Sequence, residues 1–434
     1  MKIRMLAGAA AAALMVPLLS FSAGTPAHSA TFAQQASDQA VASFYASRHG
    51  APLWLRDGPD SSAARELIGV LERAPLDGMT SGPMIAQQAE SLLARARSGD
   101  AQALASADRL LSTGWVLYVQ QLQQPPLGME FADGWARPRQ QSPQEILVQA
   151  AASHSLAGYV RTASEPNPVY AQLRDAAWQQ AQANGGNIDP RVAANLDRIR
   201  IAPFQKRYII VDAGSARLFM VDHGQIVDSM KVIVGKPSTQ TPILASTIYY
   251  ATLNPYWNVP PDLVKRLTAP RVLGQGLGYL KEHGYRVMSA YSDEAQLLDP
   301  AKVDWRAVAA GDSTVAVRQL PGPGNSMGHV KFGFPNRYDV YLHDTPEKEL
   351  FAQAGRDISN GCIRLEDANR LGRWLLGREP RADSPDPEQH ALLPSPVPIY
   401  ITYLTAQADS GQLTFLDDVY GLDTGRSSIV ATAN

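Results

Sequence analysis

A thiol and an imidazole stand out as the side chains of this chain that could do covalent chemistry. The one cysteine, Cys362, sits in Ser359-Asn360-Gly361-Cys362-Ile363-Arg364-Leu365, and His343 precedes it in Tyr341-Leu342-His343-Asp344-Thr345-Pro346. A thiol is only a few per cent ionised near neutrality, so it attacks a carbonyl when a neighbouring base or cation helps it lose its proton. His343 ends a strand-like run, and the loop that follows is long enough to return sulfur to imidazole. Gly361 tolerates a positive φ and lets a substrate carbonyl approach the backbone. The N–H groups of Gly361 and Cys362 could then form an oxyanion hole. Tyr341 shares a strand face with His343 and offers a hydroxyl to the same oxygen. Two groups compete to orient the imidazole: the Asp344 carboxylate, as a third triad member, or a backbone carbonyl. Ser359 and Arg364 either shape the loop or hold a substrate carboxylate, which suits the planar guanidinium; strand charge pairing is an equal account of Arg364. The bland reading of a lone cysteine is a small buried hydrophobe, and its neighbours argue against that.

The elements that must position these residues are legible in the hydrophobic periodicity. Up to about Ile201 the pattern is helical: Ala64, Leu67, Ile68 and Leu71 make one face, and Leu111, Trp115, Tyr118 and Leu122 repeat the spacing. From Tyr208 the runs become short and rich in β-branched and aromatic residues, with Asp222-His223-Gly224 as a turn. Strand-like runs recur at Ser246–Leu253, Gly328–Phe334, Asp339–His343 and Val397–Leu404. A mixed, partly helical stretch between Pro260 and Pro323 reads as an insertion, and long insertions are usually functional. His329, before a strand, reads as structural. The fold class expected is α+β: a helical N-terminal scaffold over 31–200, then a mostly-β catalytic domain over 201–422 with a cap inserted at about 256–325, and a flexible tail over 423–434.

The first thirty residues have their own grammar. Lys2 and Arg4 precede an apolar run from Leu6 to about Leu19, followed by small and polar residues. That order is a secretory signal peptide, and the run is shorter than the ~20 residues of a membrane anchor. Export to the periplasm is expected, with the membrane met only by the precursor. Composition is 45% hydrophobic and 18% charged with a net charge of −2, which gives no basic surface for nucleic acid. The histidines include no His-Glu-x-x-His and no Cys/His cluster, and no glycine-rich phosphate loop is present, so no metal and no nucleotide cofactor is expected.

Tyr-x-His-Asp-Thr-Pro followed by Ser-x-Gly-Cys-Ile-Arg-Leu resembles the signature of the L,D-transpeptidase (YkuD) catalytic domain. Asn254-Pro255-Tyr256-Trp257-Asn258-Val259-Pro260, Pro321-Gly322-Pro323-Gly324-Asn325, Phe334-Pro335-Asn336 and Asp417-Asp418-Val419-Tyr420-Gly421 are similar to the YcbB-type branch, here without its peptidoglycan-binding module. The resemblance implies that Cys362 attacks a stem peptide containing meso-diaminopimelate, forms a thioester and releases a terminal D-amino acid. An amine then closes a cross-link of the 3–3 or 1–3 type. It implies carbapenem acylation of the same thiol, and it makes Trp257 and Asn258 cap residues facing the cleft. Asn360 departs from the His or Ser common before the glycine, so base duty falls to His343 alone. An L,D-carboxypeptidase, a lipoprotein-tethering enzyme and a non-catalytic wall-binding scaffold are the alternatives.

Overall fold

The computed structural model describes residues 26–423 except 202, 204 and 293, with side chains described from Ser37 onward. Residues 1–25 of the expected signal segment, and the tail from 424, lie outside the described residues.

Among the described residues, the N-terminal part up to Ile199 holds eight α-helices: α1 (Pro26–Ser47), α2 (Ser62–Arg73), α3 (Gly82–Arg97), α4 (Ala101–Leu122), α5 (Pro143–Ala152), α6 (Leu156–Ala163), α7 (Pro168–Ala183) and α8 (Pro190–Ile199). Their starts are written in the sequence. Ser142 accepts from Glu145 N–H while Glu145 reaches back to Ser142 N–H, and Asp100 and Asn167 cap α4 and α7 through side-chain oxygens. Both expected apolar faces are buried, on α2 and α4.

Fifteen strands follow the same logic of alternation: β1 (Glu130–Phe131), β2 (Arg207–Asp212), β3 (Arg217–Asp222), β4 (Gln225–Gly235), β5 (Leu244–Leu253), β6 (Trp257–Val259), β7 (Tyr285–Met288), β8 (Ala316–Gln319), β9 (Val330–Phe332), β10 (Leu342–His343), β11 (Asp357–Ser359), β12 (Ile363–Leu365), β13 (Gln389–Thr402), β14 (Ala406–Asp409) and β15 (Gln412–Phe415). The order β5-β13-β2-β3-β4-β12-β10-β9 closes on itself because β9 also pairs with β5. Closure leaves those strands without free edges. Ile209, Val211, Leu218, Val232, Leu342, Ile363 and Ile399 fill the interior. Tyr208, Ile210, Val221, Ala245 and Tyr400 point the other way, into the core shared with the helices. Tyr208-Ile209-Ile210-Val211 is therefore apolar at every position because both of its faces are buried.

Between β5 and β9 the chain builds a separate sheet, β6-β8-β7, packed on helical turns around Val259, Leu263, Tyr279, Val287, Trp305 and Val317. Asn325 clips the exit of this cap to its entrance, its amide donating to Pro255 O at 3.0 Å and Leu320 O at 2.9 Å.

Candidate active site

Register places the chemistry. Parallel pairing of β10 with β12 sets Leu342 beside Ile363 and His343 beside Arg364, and antiparallel pairing with β9 sets His343 beside Lys331. Leu342, Ile363 and Phe332 face the barrel interior. Period-two alternation then puts Tyr341, His343, Cys362, Arg364 and Lys331 together on the outer face. Ile363 N–H donates to Tyr341 O at 3.0 Å, which brings Tyr341 alongside Cys362. The thiol donates to Asp339 O at 3.7 Å, and the neighbouring Tyr341 hydroxyl and backbone N–H act to lower its pKa. The Tyr341 and His343 rings lie 5.7 Å apart, edge to face.

His343 is buried, at 3% exposure, and its Nδ1 donates to the backbone carbonyl of Asp344 at 2.6 Å. That bond fixes the tautomer and leaves Nε2 with a lone pair. Burial, reinforced by the Arg364 charge, lowers its pKa to about 3. Burial also raises the Cys362 thiol, against the lowering effect of both Tyr341 hydrogen bonds and Arg364. Cys362 itself is half-buried. At rest, burial thus favours the neutral thiol and the neutral imidazole on the same outer face.

The nucleophile loop is braced from both sides. Gly361 has φ +116°, a region closed to most side chains, although an added Cβ would meet nothing nearer than 3.9 Å. Thr241 Oγ1 donates to Gly361 O at 2.8 Å and accepts from Gly235 N–H at 2.8 Å. Tyr420 donates to Gly235 O and stacks on Tyr403 at 4.7 Å, tying the segment before Asp423 to the same loop.

Several expectations need correction. Asp344 does not orient the imidazole through its carboxylate: that group accepts from His329 Nδ1 at 2.6 Å and from Lys348 Nζ at 2.8 Å, and its carbonyl holds His343 instead. Adjacent residues on a strand point to opposite faces, so the carboxylate turns away. Gly361 N–H is not offered to an oxyanion, because it donates to Ser359 Oγ at 3.1 Å. Cys362 N–H, which has no acceptor among the described residues, is the backbone donor left for that role. Ser359 braces the loop, one of the two roles expected for it, its hydroxyl donating to Cys362 O at 2.6 Å. Arg364, on β12, is paired with Glu347 of the loop that follows β10. Tyr341, expected to donate to the oxyanion, lies beside the sulfur and lowers the thiol pKa in the resting site.

Other expected residues lie further out. Asn360 is exposed on the loop, Trp257 packs near Tyr285 at 6.3 Å in the cap, and Asn258 accepts from Arg318 at 2.8 Å. The cavity that reaches Tyr341 has a volume of 460 Å³ and no lining residue from the cap. It is lined instead by Lys331, Asp339, Glu388 and His390 among others, none singled out in the sequence. Lys331 lay within a quoted stretch, and its alternation with His343 across a hairpin was the available signal. His329 is structural in the sense expected, joined to Asp344 and to Asn369 at 2.9 Å. The Asp344 contacts overcome its burial and hold its carboxyl well below the usual range. Gly328 makes room for that carboxylate, since a Cβ there would fall 2.1 Å from Asp344 Oδ2.

Residues 206–399 match the family described as the L,D-transpeptidase catalytic domain (YkuD), and residues 39–176 match the Scaffold domain. A curated relative, a putative L,D-transpeptidase of Haemophilus influenzae, is 26% identical over 396 residues, covering 88% of this chain and 78% of its own. Among solved structures, an L,D-transpeptidase from Mycobacterium smegmatis is 15% identical, with 45% of this chain and 58% of that chain covered and a TM-score of 0.23. LdtMt1 in complex with imipenem is 14% identical, with 45% and 59% covered and a TM-score of 0.23. The chain thus spans under two thirds of the length of those two solved chains. It carries an L,D-transpeptidase catalytic domain of the YkuD family behind a helical scaffold domain.

Proposed function

We propose that the protein is a peptidoglycan L,D-transpeptidase that cross-links stem peptides through a thioester on Cys362. The observation that supports this best is the trio on the outer barrel face: Cys362 two residues before Arg364, the strand partner of a neutral His343, and Tyr341 lowering the thiol pKa against burial. In the acylation step the thiol proton passes to His343 Nε2 as sulfur bonds to the carbonyl of diaminopimelate. The developing oxyanion takes the Cys362 N–H, the carbon–nitrogen bond to the terminal D-amino acid breaks, and His343 returns its proton to the leaving amine. In the second step an acceptor amine attacks the thioester, loses a proton to His343, and the sulfur leaves and is reprotonated. Imipenem, found on LdtMt1, would acylate the same thiol by opening its lactam ring. The chain works in the periplasm after removal of its first thirty residues, which the mature N-terminus would report.

The test is incubation of wild type and Cys362→Ala with purified muropeptides and mass mapping of the products. Dimers from wild type alone support the proposal, and their fragmentation separates 3–3 from 1–3 links. Monomers shortened by one residue would make it a carboxypeptidase, and dimers formed equally by Cys362→Ala would sink the mechanism.

A further inference from the structure

The cavity that meets the site at Tyr341 and Asp339 carries charges that are not used by the steps above. Lys331 Nζ sits 5.5 Å over the centre of the Tyr341 ring, and it faces Glu388 Oε2 at 4.0 Å. At that separation the two charges are outside direct hydrogen-bonding distance, near 2.7–2.9 Å, and each keeps capacity for another partner. Each is anchored from behind: Lys331 by the aromatic face, Glu388 by Tyr256 N–H on Oε1 at 2.7 Å. Glu388 also holds φ +55°, and Asp339, on the same cavity wall, holds φ +52°. Non-glycine residues in the left-handed region carry strain, which concentrates at ligand-holding sites. The Asp339 carbonyl is the one that contacts the Cys362 sulfur.

We propose that Lys331 and Glu388 form an acceptor subsite for an amino-acid head group, Lys331 binding its carboxylate and Glu388 steering its ammonium. The identity of that head group, the free D-centre of diaminopimelate, rests on the transpeptidase reading; the charge chemistry does not. Lys331 is the direct cross-strand neighbour of His343. A carboxylate held by Lys331 therefore sets the amine, one carbon away, near the imidazole that must take its proton. The ammonium form gives up one proton to solvent, and the free amine then attacks the thioester and passes its second proton to His343. The subsite selects amines that carry a neighbouring carboxylate.

The experiment has two arms. In the first, the full chain with Cys362→Ala is titrated calorimetrically with meso-diaminopimelate and with 1,5-diaminopentane, the same diamine without carboxylates. Diaminopimelate should bind more tightly, and Lys331→Met should weaken it by roughly 10- to 100-fold, as for loss of a charge-assisted hydrogen bond, while leaving the diamine unmoved. Glu388→Gln, which keeps the Tyr256 contact, should weaken both. In the second arm the acyl-enzyme partitions between the two amines, and the wild-type preference for diaminopimelate should collapse toward unity in Lys331→Met. Equal binding of the two probes, or a preference unchanged in Lys331→Met, overturns the subsite. Absence of any acyl-enzyme in wild type would sink the transpeptidase reading, and the calorimetric arm would still decide the subsite.

Discussion

Cys362 and His343 should both be uncharged at rest, and the structure sets how strongly. Burial pushes the thiol above its ordinary 9.0, and burial with Arg364 lowers the imidazole to about 3. Moving the proton between them before substrate binds therefore crosses a gap of at least about six pKa units, or about 8 kcal/mol. If the two charges closed to about 4 Å at a partly buried site, their attraction would return about 4 kcal/mol. The balance leaves the thiolate–imidazolium pair in at most about one molecule per thousand at pH 7. Because the chain has one cysteine, the ultraviolet absorbance of thiolate reports Cys362 alone in folded protein. No thiolate step should appear between about pH 5 and about pH 8.5. His343→Gln should leave alkylation by iodoacetamide at pH 7 nearly unchanged, yet slow acylation by imipenem by about 10²- to 10⁴-fold, the usual share of a general base. A full equivalent of thiolate at pH 7 that disappears in His343→Gln would refute the neutral pair.

Asp344→Asn should cost under about 10-fold in acylation, because His343 is held by the backbone carbonyl; a loss of about 10⁴-fold, expected for a triad carboxylate, would restore that carboxylate to the triad. Gly361→Ala should destabilise the fold by about 1–3 kcal/mol through its positive φ rather than by collision, measured as a lowered urea midpoint with unchanged slope. His343 binds its proton more weakly folded than unfolded, so its contribution is present above the unfolded pKa of 6.5 and lost as pH falls toward about 3. Acid unfolding of His343→Gln should accordingly set in at lower pH than in wild type; coincident acid midpoints would count against a buried neutral imidazole.

The sequence carried the helical faces, the change of period at Tyr208 and the grouping of Cys362 with His343, because local spacing and turn chemistry encode these. It did not carry the closure of the barrel, which depends on β5 pairing with β9 across the cap. The first half of β13 was hidden by Pro394 and Pro396. Proline cannot donate to a ladder, and it is tolerated here where the register with β5 shifts between Leu392 and Val397. Asp344 looked like a triad member because it follows the histidine, but only the partners of its carboxylate could show that it faces His329 and Lys348. Lys331 and Glu388 lie far apart in the chain, and nothing local in either announces the other.

The neutral pair also bears on the setting proposed for this enzyme. A thiolate is the form that oxidants attack, so a low-pKa cysteine in an oxidising compartment is exposed to sulfenic acid and mixed disulfides. With one cysteine in the chain, no resolving partner within it could restore the sulfur. Burial of Cys362 and His343 keeps the resting sulfur protonated, and charge develops only as a carbonyl accepts the electron pair. Protection and catalysis thus place opposite demands on the thiol pKa, and a base that acts only in the transition state meets both. Tyr341 sits at that balance, since its two hydrogen bonds lower the thiol pKa against burial. Tyr341→Phe should then slow imipenem acylation while making Cys362 harder to oxidise with peroxide at pH 7. Faster oxidation in that variant would show that Tyr341 shields the sulfur rather than easing its ionisation.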